Sequence, residues 1–217
     1  MFVPGIFSNF AIVEKYMQGD TFKTIDAVSE GLYKVKGSKF ISFAHPVNDV
    51  EAVKQLLDTY KKIYYDARHV CYAYMIGPEG DAFRANDDGE PSGTAGRPIL
   101  GQIQSFGLTD VLVVVIRYFG GILLGTGGLV VAYKSAASEA LGSAVIIEKT
   151  VDVEYCIVFE FRFLNDVMRI IKTLDAQIIS QDYEMECQVR LRIRKDNSTR
   201  LYIALEKVES LSFKDCI

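Results

Sequence analysis

One stretch of the sequence decides the fold: TDVLVVVIRYFGGILLGTGGLVVAYKSAASEAL, residues Thr109–Leu141. Its beginning, Thr109–Tyr118, is a β-branched run without polar alternation, which predicts a strand buried on both faces. A glycine-rich loop over residues 120–128 follows, and the alanine-rich segment Leu129–Leu141 then predicts a helix. The order of strand, glycine loop and helix predicts a domain that combines helices with a buried sheet.

The end of this strand has the features of an anion-binding site. Free N–H groups and the positive end of the dipole favour negative charge at a helix N-terminus, and Arg117 at the strand's end would add a charge-assisted contact. The glycine spacing matches neither the dinucleotide fingerprint nor the P-loop, because no GK[ST] follows. The alternative is that glycine only allows the helix to pack closely on a sheet. The residues predicted to bind a phosphate or another anion are Arg97, Arg117, Gly120, Gly121, Gly125, Thr126, Gly127 and Gly128.

A second loop, NDDGEPSGTAGRP over residues 86–98, gathers polar side chains beside three glycines. It predicts a binding loop in which glycine exposes backbone N–H groups next to a polar cluster. The carboxylates could organise Mg²⁺ through waters, although we predict no metal site and no cofactor. The alternative is two consecutive turns whose acids are simply solvated. The cluster consists of Asp87, Asp88, Glu90, Ser92 and Thr94.

The two histidines, His45 and His69, lie near the ends of predicted strands. Neither has a cysteine or carboxylate at metal-ligand spacing, and no GxSxG motif is present. Cys71 follows His69 at i+2, which is a weak sign of a catalytic pair. We interpret both histidines as partly buried side chains with a backbone partner, and we assign no catalytic residue.

An arginine stripe near the C-terminus also has two interpretations. Period-two spacing places Arg190, Arg192 and Arg194 on one strand face, where they could meet RNA phosphates. Salt pairing with a neighbouring strand that carries Asp152, Glu154 and Glu160 explains them without any ligand, and we favour this interpretation.

Composition and charge exclude several classes of protein. The 217 residues are 49% hydrophobic with a net charge of −4, which is typical of a globular chain and disfavours a strongly electrostatic nucleic-acid binder. The four cysteines are scattered without a CxxC pair, which argues against a zinc site and favours a cytoplasmic protein. The longest apolar run, Val111–Ile116, is too short to span a membrane.

Glycine usage divides the chain. Twelve of the 17 glycines lie between Gly77 and Gly128, and none follows Gly142. We therefore predict a variable extension over residues 1–20, a first domain over 21–147 and a second over 148–217. The second reads as β-α-β-β-α-β, the ferredoxin-like order. Its predicted strands are Val151–Phe161, Ala176–Tyr183, Cys187–Arg194 and Ser210–Phe213, and its predicted helices are Leu164–Leu174 and Asn197–Lys207.

The first domain is predicted with less regular elements. A helix capped by Asn48 follows two strands joined by a turn at Lys36–Ser38. Residues 77–98 read as one long loop. The other predicted elements are the strands Leu32–Val35, Lys39–Pro46 and Val70–Ile76 and the helix Ile99–Phe106.

These motifs resemble those of a known family. DDGEPSGTAGRPIL (Asp87–Leu100) and VVVIRYFGGILLGTGGLVVAY (Val113–Tyr133) are similar to signature runs of the IMPACT/YigZ family. GSKFISFAHPV (Gly37–Val47) and ARHVCYAYMIG (Ala67–Gly77) match its other blocks in order. The resemblance extends over Glu30–Leu141, and the tail resembles the C-terminal domain of the bacterial members, itself similar to a domain of elongation factor G.

The resemblance implies an α+β protein with a ribosomal-protein S-five domain-two-like domain followed by a ferredoxin-like domain. Since the eukaryotic relative is a translation regulator, it implies a translation-associated, non-enzymatic regulatory protein that binds RNA, the ribosome or another phosphate-bearing ligand through the glycine-rich loops. A protein partner is also open, and no membrane partner is expected. Two alternatives remain: an enzyme acting on a small phosphorylated substrate or nucleotide, and a pure protein-interaction module.

Overall fold

The computed structural model describes residues 20–183 and 186–215. The described residues form two compact units: residues 22–149 in one, and residues 150–215 together with Asp20 and Thr21 in the other. Both units combine helices with antiparallel sheet, which confirms the predicted α+β class. The predicted extension over residues 1–20 lies outside the described residues, apart from Asp20.

The first unit is built around a five-stranded antiparallel sheet in the order β2-β3-β6-β4-β5. A separate ladder pairs β1 with β7. In chain order the elements are β1 (Thr21–Ile25), β2 (Ser29–Val35), β3 (Ser38–Pro46), α1 (Val50–Ile63), β4 (His69–Ile76), β5 (Ala82–Asn86), α2 (Gly96–Ser105), β6 (Val111–Tyr118), α3 (Gly125–Gly142) and β7 (Ile146–Thr150).

The central strand β6 is buried at every residue from Val111 to Arg117, as its unbroken apolar run predicts. Because side chains alternate along a strand, its two sets of residues belong to different cores. Val113 and Val115 pack in a core with α2 and α3, whereas Val114 and Ile116 pack in another core with α1. The sheet is therefore covered by helices on both faces, and the end of β6 leads directly to the start of α3.

Several boundaries differ from the prediction. Asp49, and not Asn48, caps α1, since its carboxylate accepts from the Ala52 N–H at 2.7 Å. The predicted loop over residues 77–98 contains β5, whose exposed residues lack the apolar alternation that reveals a strand. Helix α3 begins at Gly125, inside the predicted glycine loop. The strands β1 and β7 are also unpredicted: most residues of β7 are exposed, whereas β1 ends on the buried residues Thr24 and Ile25.

The second unit has the predicted β-α-β-β-α-β order. Its antiparallel strands lie in the order β11-β8-β10-β9, that is fourth, first, third and second of the unit. One core joins the sheet to both helices, with Phe159, Val167 and Leu191 at its centre. The elements are β8 (Asp152–Phe159), α4 (Leu164–Thr173), β9 (Gln177–Asp182), β10 (Cys187–Arg194), α5 (Lys195–Glu206) and β11 (Ser212–Lys214).

The arginine stripe on β10 is paired within the protein, although not with all the predicted partners. Glu154 contacts Arg190 at 2.8 Å and Arg192 at 2.9 Å, and the hydrogen bonds from Arg192 and then Arg190 lower the pKa of Glu154. Arg194 pairs with Asp20. The predicted pairing is thus confirmed for Glu154. Asp152 lies opposite Arg194 in register, and its charge adds to the larger effect of Asp20 in raising the pKa of Arg194. The prediction is wrong for Glu160, which pairs with Arg162 at 2.9 Å.

Cysteine chemistry differs between the described positions. Cys71 and Cys187 are buried free thiols, whereas Cys156 is disulfide-bonded, which the scattered cysteines did not predict. Within the described ranges, no helix has the length and apolar character needed to cross a membrane.

Candidate functional site

A cleft of about 560 Å³ lies in the first unit, beside the loop that connects the end of β6 to the start of α3. Its volume falls within the usual range of small-ligand sites, about 300–1,000 Å³. Charged groups and apolar side chains share its wall. The lining residues are Arg68, His69, Glu90, Pro91, Arg117, Phe119, Leu123, Leu124, Gly125, Thr126 and Leu129.

The start of α3 forms one wall of this cleft. The N-cap residue Leu124 makes no side-chain cap hydrogen bond within the described residues, and Gly125, Thr126 and Gly127 are exposed. Gly125 has φ +69°, a conformation that favours glycine, whereas a Cβ added to Gly127 would meet nothing within 4 Å. Packing inside the protein therefore does not explain the missing side chain at Gly127. Of the glycines predicted to bind an anion, Gly125 lines the cleft, whereas Gly121, Gly127 and Gly128 lie beside it in sequence and do not line it. The wall presents bare backbone at the end of a helix where N–H groups lack intrahelical partners.

Gly120 has a different role from the one the sequence suggested. A Cβ at Gly120 would lie 1.9 Å from the carbonyl carbon of Gly37, so the turn between β2 and β3 packs backbone against backbone on the loop after β6. The Gly120 N–H also donates to Ser38 Oγ at 3.1 Å. Close packing accounts for this glycine, as the alternative interpretation of the loop allowed.

Arg117 is held by a carboxylate from the second loop. Its Nη1 lies 2.5 Å from Glu90 Oε1, and only 5% of Arg117 and 8% of Glu90 is exposed. The Tyr133 hydroxyl donates to the same oxygen at 2.8 Å, and the Cys71 thiol lies 3.3 Å from the Tyr133 hydroxyl. Burial raises the pKa of both Tyr133 and Cys71, which keeps both groups protonated. Glu90 is the acceptor on which this network converges.

Arg117 keeps one polar atom unsatisfied. Its Nε has no hydrogen-bond partner among the described residues. The guanidinium carbon lies 5.5 Å from the ring centroid of Phe40 and 5.7 Å from that of Phe119. Arg117 therefore lines the cleft as a cation whose charge Glu90 already matches, and the predicted contact between Arg117 and an anion stays a prediction.

His69 lies at the mouth of this network with a fixed orientation. Its Nδ1 is 2.7 Å from the Asp88 carbonyl oxygen, which can only accept, so Nδ1 carries the proton. Its Nε2 lies 3.8 Å from Glu90 Oε1, and its side chain is 14% exposed. The predicted backbone partner is confirmed for His69. His45 instead contacts the Tyr60 hydroxyl at 2.6 Å.

The polar cluster of the second loop mostly bonds within the protein. Asp87 accepts from the N–H groups of Gly93, Ala95 and Gly96 at 2.8–3.0 Å, and so caps the start of α2. Burial alone would raise the pKa of Asp87, but these three donors together with Arg97 lower it below its ordinary value.

The remaining predicted residues divide between internal contacts and exposed positions. Asp88 accepts from the Val70 N–H at 2.6 Å, and the Thr94 hydroxyl donates to the Pro91 carbonyl at 2.6 Å. Ser92 and Arg97 are exposed and do not line the cleft. Across residues 20–183 and 186–215, no group of carboxylates, histidines or cysteines is arranged to hold a metal ion.

Sequence reasoning predicted four of the lining residues, Glu90, Arg117, Gly125 and Thr126. It missed Arg68, Pro91, Phe119, Leu123, Leu124 and Leu129. It also left His69 without a role in the site. In the pairing of β4 with β6, His69 lies opposite Arg117, so strand register brings these two side chains to one edge of the sheet. The only available signal was that Arg68 and His69 begin a strand while Phe119 and Leu123 flank the glycine loop.

Comparison with known proteins identifies relatives over most of the chain. The family model described as the Impact N-terminal domain matches residues 36–141. The IMPACT family member YigZ of Escherichia coli is 37% identical over 162 residues, which cover 74% of this chain and 79% of the relative. An IMPACT family member of Haemophilus influenzae is 34% identical over 165 residues, with the same two coverages. A crystal structure described as that of a hypothetical protein superimposes with a TM-score of 0.70 at 31% identity, over 92% of this chain and 99% of the other. The chain belongs to the IMPACT family.

Proposed function

We propose that the chain is a translation-associated regulatory protein of the cytoplasm that binds the phosphate of RNA or of the ribosome in the cleft at the start of α3. Membership of the IMPACT family supports the association with translation. The observation that carries the binding proposal is the uncapped N-terminus of α3, which opens with bare backbone onto a cleft that also contains Arg68 and His69.

The helix N-terminus is the principal phosphate contact in this proposal. Backbone N–H groups at the start of α3 and the Thr126 hydroxyl donate to the phosphate oxygens, and the helix dipole favours the negative charge. Arg68 is exposed at the rim of the cleft and adds a cation to it. Because Glu90 matches Arg117, the cleft is only weakly cationic, which suits a protein with a net charge of −4.

Gly127→Ala is expected to weaken RNA binding about tenfold without lowering stability. The added Cβ meets nothing within 4 Å, and Gly127 lies in the first turn of α3 next to the lining residues Gly125 and Thr126, so in this proposal the Cβ would crowd the bound phosphate. Loss of one charge-assisted hydrogen bond corresponds to roughly 1.5–3 kcal/mol. Alanine is also the better helix former, by about 1 kcal/mol in a helix interior. Fluorescence anisotropy with a labelled single-stranded RNA measures the binding.

Gly101→Ala is the matched control for this experiment. Gly101 lies inside α2, and a Cβ there also meets nothing within 4 Å, but it is remote from the cleft wall. This variant should bind RNA like the unchanged protein. Equal binding by the Gly127 and Gly101 variants would contradict the proposed phosphate position.

Arg68→Ala is expected to make RNA binding less dependent on salt. The logarithm of affinity falls with the logarithm of salt by about 0.7 per neutralised phosphate on a single strand. Removing one contacting cation should therefore make the slope shallower by about 0.7 in an anisotropy salt series. Arg84 is exposed on β5 and does not line the cleft, so Arg84→Ala should keep the original slope. An unchanged salt dependence in Arg68→Ala would show that Arg68 does not contact a phosphate of the RNA.

One observation favours a second function, an enzyme acting on a small phosphorylated substrate. His69 donates from Nδ1 to the Asp88 carbonyl, so Nε2 is the nitrogen left to act on a substrate in the cleft, as a general acid or base requires. Release of inorganic phosphate from nucleotides or sugar phosphates that disappears in His69→Gln would support this function. RNA binding without any turnover supports the regulatory function instead.

A further inference from the structure

We propose that the cleft recognises a nucleobase together with its phosphate, with the base stacked on Phe119. The ligand class is therefore single-stranded RNA or a free nucleotide, both of which offer an unstacked base. This inference rests on the proposed function and names the chemistry that the same cleft selects.

The apolar side of the cleft carries the first step of the argument. Phe119 is 48% exposed and Leu123 is 83% exposed, and both line the cleft beside the start of α3. A phosphate ion is fully hydrated and gains nothing from such a surface. The flat face of a nucleobase does gain from it, because aromatic side chains and bases stack.

Phe119 is also held in place by the buried network. The Arg117 guanidinium lies 5.7 Å from the Phe119 ring centroid, and Glu90 and Tyr133 in turn fix Arg117. Tyr118, the residue before Phe119, donates to Asp66 Oδ1 at 2.8 Å and anchors the end of β6. A ring that is already oriented loses less conformational freedom when a ligand binds. Phosphate binding alone would not require the buried ion pair between Arg117 and Glu90, but orienting the Phe119 ring gives this pair a role.

Two further features point to a ligand at this place. Arg117 is more than nine-tenths buried, lines the cleft and keeps Nε without a hydrogen-bond partner in the described part of the chain. Gly127 leaves backbone bare where no packing requires it. The phosphate position at α3 and the stacking position at Phe119 thus belong to one cleft, as a nucleotide requires.

The same geometry selects against duplexes. Bases in a duplex are stacked on each other, so their faces cannot reach Phe119, whereas a single strand or a mononucleotide presents a free face. A strongly basic surface would bind duplex phosphates regardless, but the charge of this cleft is mostly matched within the protein.

The test compares Phe119→Leu with Phe83→Leu in the full chain. Leucine keeps apolar bulk and removes the aromatic face. Phe83 is 60% exposed on β5 and does not line the cleft, so it is the matched control. By anisotropy, Phe119→Leu should bind a labelled single-stranded RNA about tenfold more weakly, the loss expected for one stacked base. Phe83→Leu should bind normally, and thermal unfolding should be the same for both variants.

Competition experiments distinguish single-stranded RNA from a free nucleotide as the ligand. Together with the variants, they also separate failure of the base-stacking proposal from failure of the proposed function. If adenosine monophosphate displaces the labelled RNA, the ligand is a free nucleotide. If only longer single strands displace it, the ligand is RNA. Either result supports base recognition. Duplex RNA that competes as well as single-stranded RNA would overturn it. Equal binding by the two phenylalanine variants, with Gly127→Ala still weakened, would also overturn base stacking while leaving the phosphate site intact. If none of these variants weakens binding, the proposed function itself is wrong.

Discussion

Glu90→Ala is expected to destabilise the first unit by about 3–5 kcal/mol, the effect of removing one partner from a buried ion pair. The substitution leaves the Arg117 guanidinium buried without a counter-charge and removes the acceptor of the Tyr133 hydroxyl. Urea unfolding of the full chain, followed by circular dichroism, measures the change in the free energy of unfolding. Glu90→Gln keeps the shape of the side chain and should fall between the unchanged protein and the alanine variant.

Glu51→Ala is the control for this substitution. Glu51 pairs with Lys54 at 3.2 Å on α1, but both side chains are 66% exposed. Such exposed pairs contribute about 0.3–0.5 kcal/mol. A loss below about 1 kcal/mol in Glu90→Ala would mean that the network around Arg117 does not stabilise the site.

Asp87→Ala is expected to cost about 2 kcal/mol at neutral pH, because α2 loses its cap and three N–H groups lose their acceptor. The effect should depend on pH in a defined direction. Since the pKa of Asp87 is lowered in the folded protein, its stabilisation is fully present above the ordinary carboxyl pKa of about 3.9. It is lost as the pH falls through the lower folded value.

The difference in unfolding free energy between the unchanged protein and Asp87→Ala should therefore be constant above about pH 5 and shrink below about pH 4. Asp58 is exposed on α1 and serves as the control, with an expected change within about 0.5 kcal/mol for Asp58→Ala. A difference between the unchanged protein and the Asp87 variant that stays constant down to pH 2 would show that the carboxylate does not cap α2.

The parts of the fold that rest on regular apolar patterning were predictable from the sequence. Strand β6 is an unbroken apolar run, and the second unit alternates clearly enough to give the order of its elements. Strand β5 was missed because its residues are exposed and only its pairing with β4 defines it. Local sequence cannot supply a pairing that depends on a strand elsewhere in the sheet.

The candidate site was only partly predictable for the same reason. The uncapped start of α3 follows from the glycine loop, but the ion pair between Glu90 and Arg117 joins residues 27 positions apart. The sequence predicted that the acids of the second loop form one polar cluster. In the structure they have different partners: Asp87 caps α2, and Glu90 pairs with the buried Arg117. Which acid meets which partner depends on tertiary packing, and composition alone does not contain it.

The most direct test of the phosphate position is a ¹H–¹⁵N amide titration of the full chain with a short single-stranded RNA. If the phosphate binds at the start of α3, the largest saturable shifts occur at the amides of Gly125, Thr126, Gly127 and Gly128, with smaller shifts at Arg68 and Phe119. Saturable shifts confined to the face of β10 that carries Arg190 and Arg192, with the amides at the start of α3 unchanged, would contradict it.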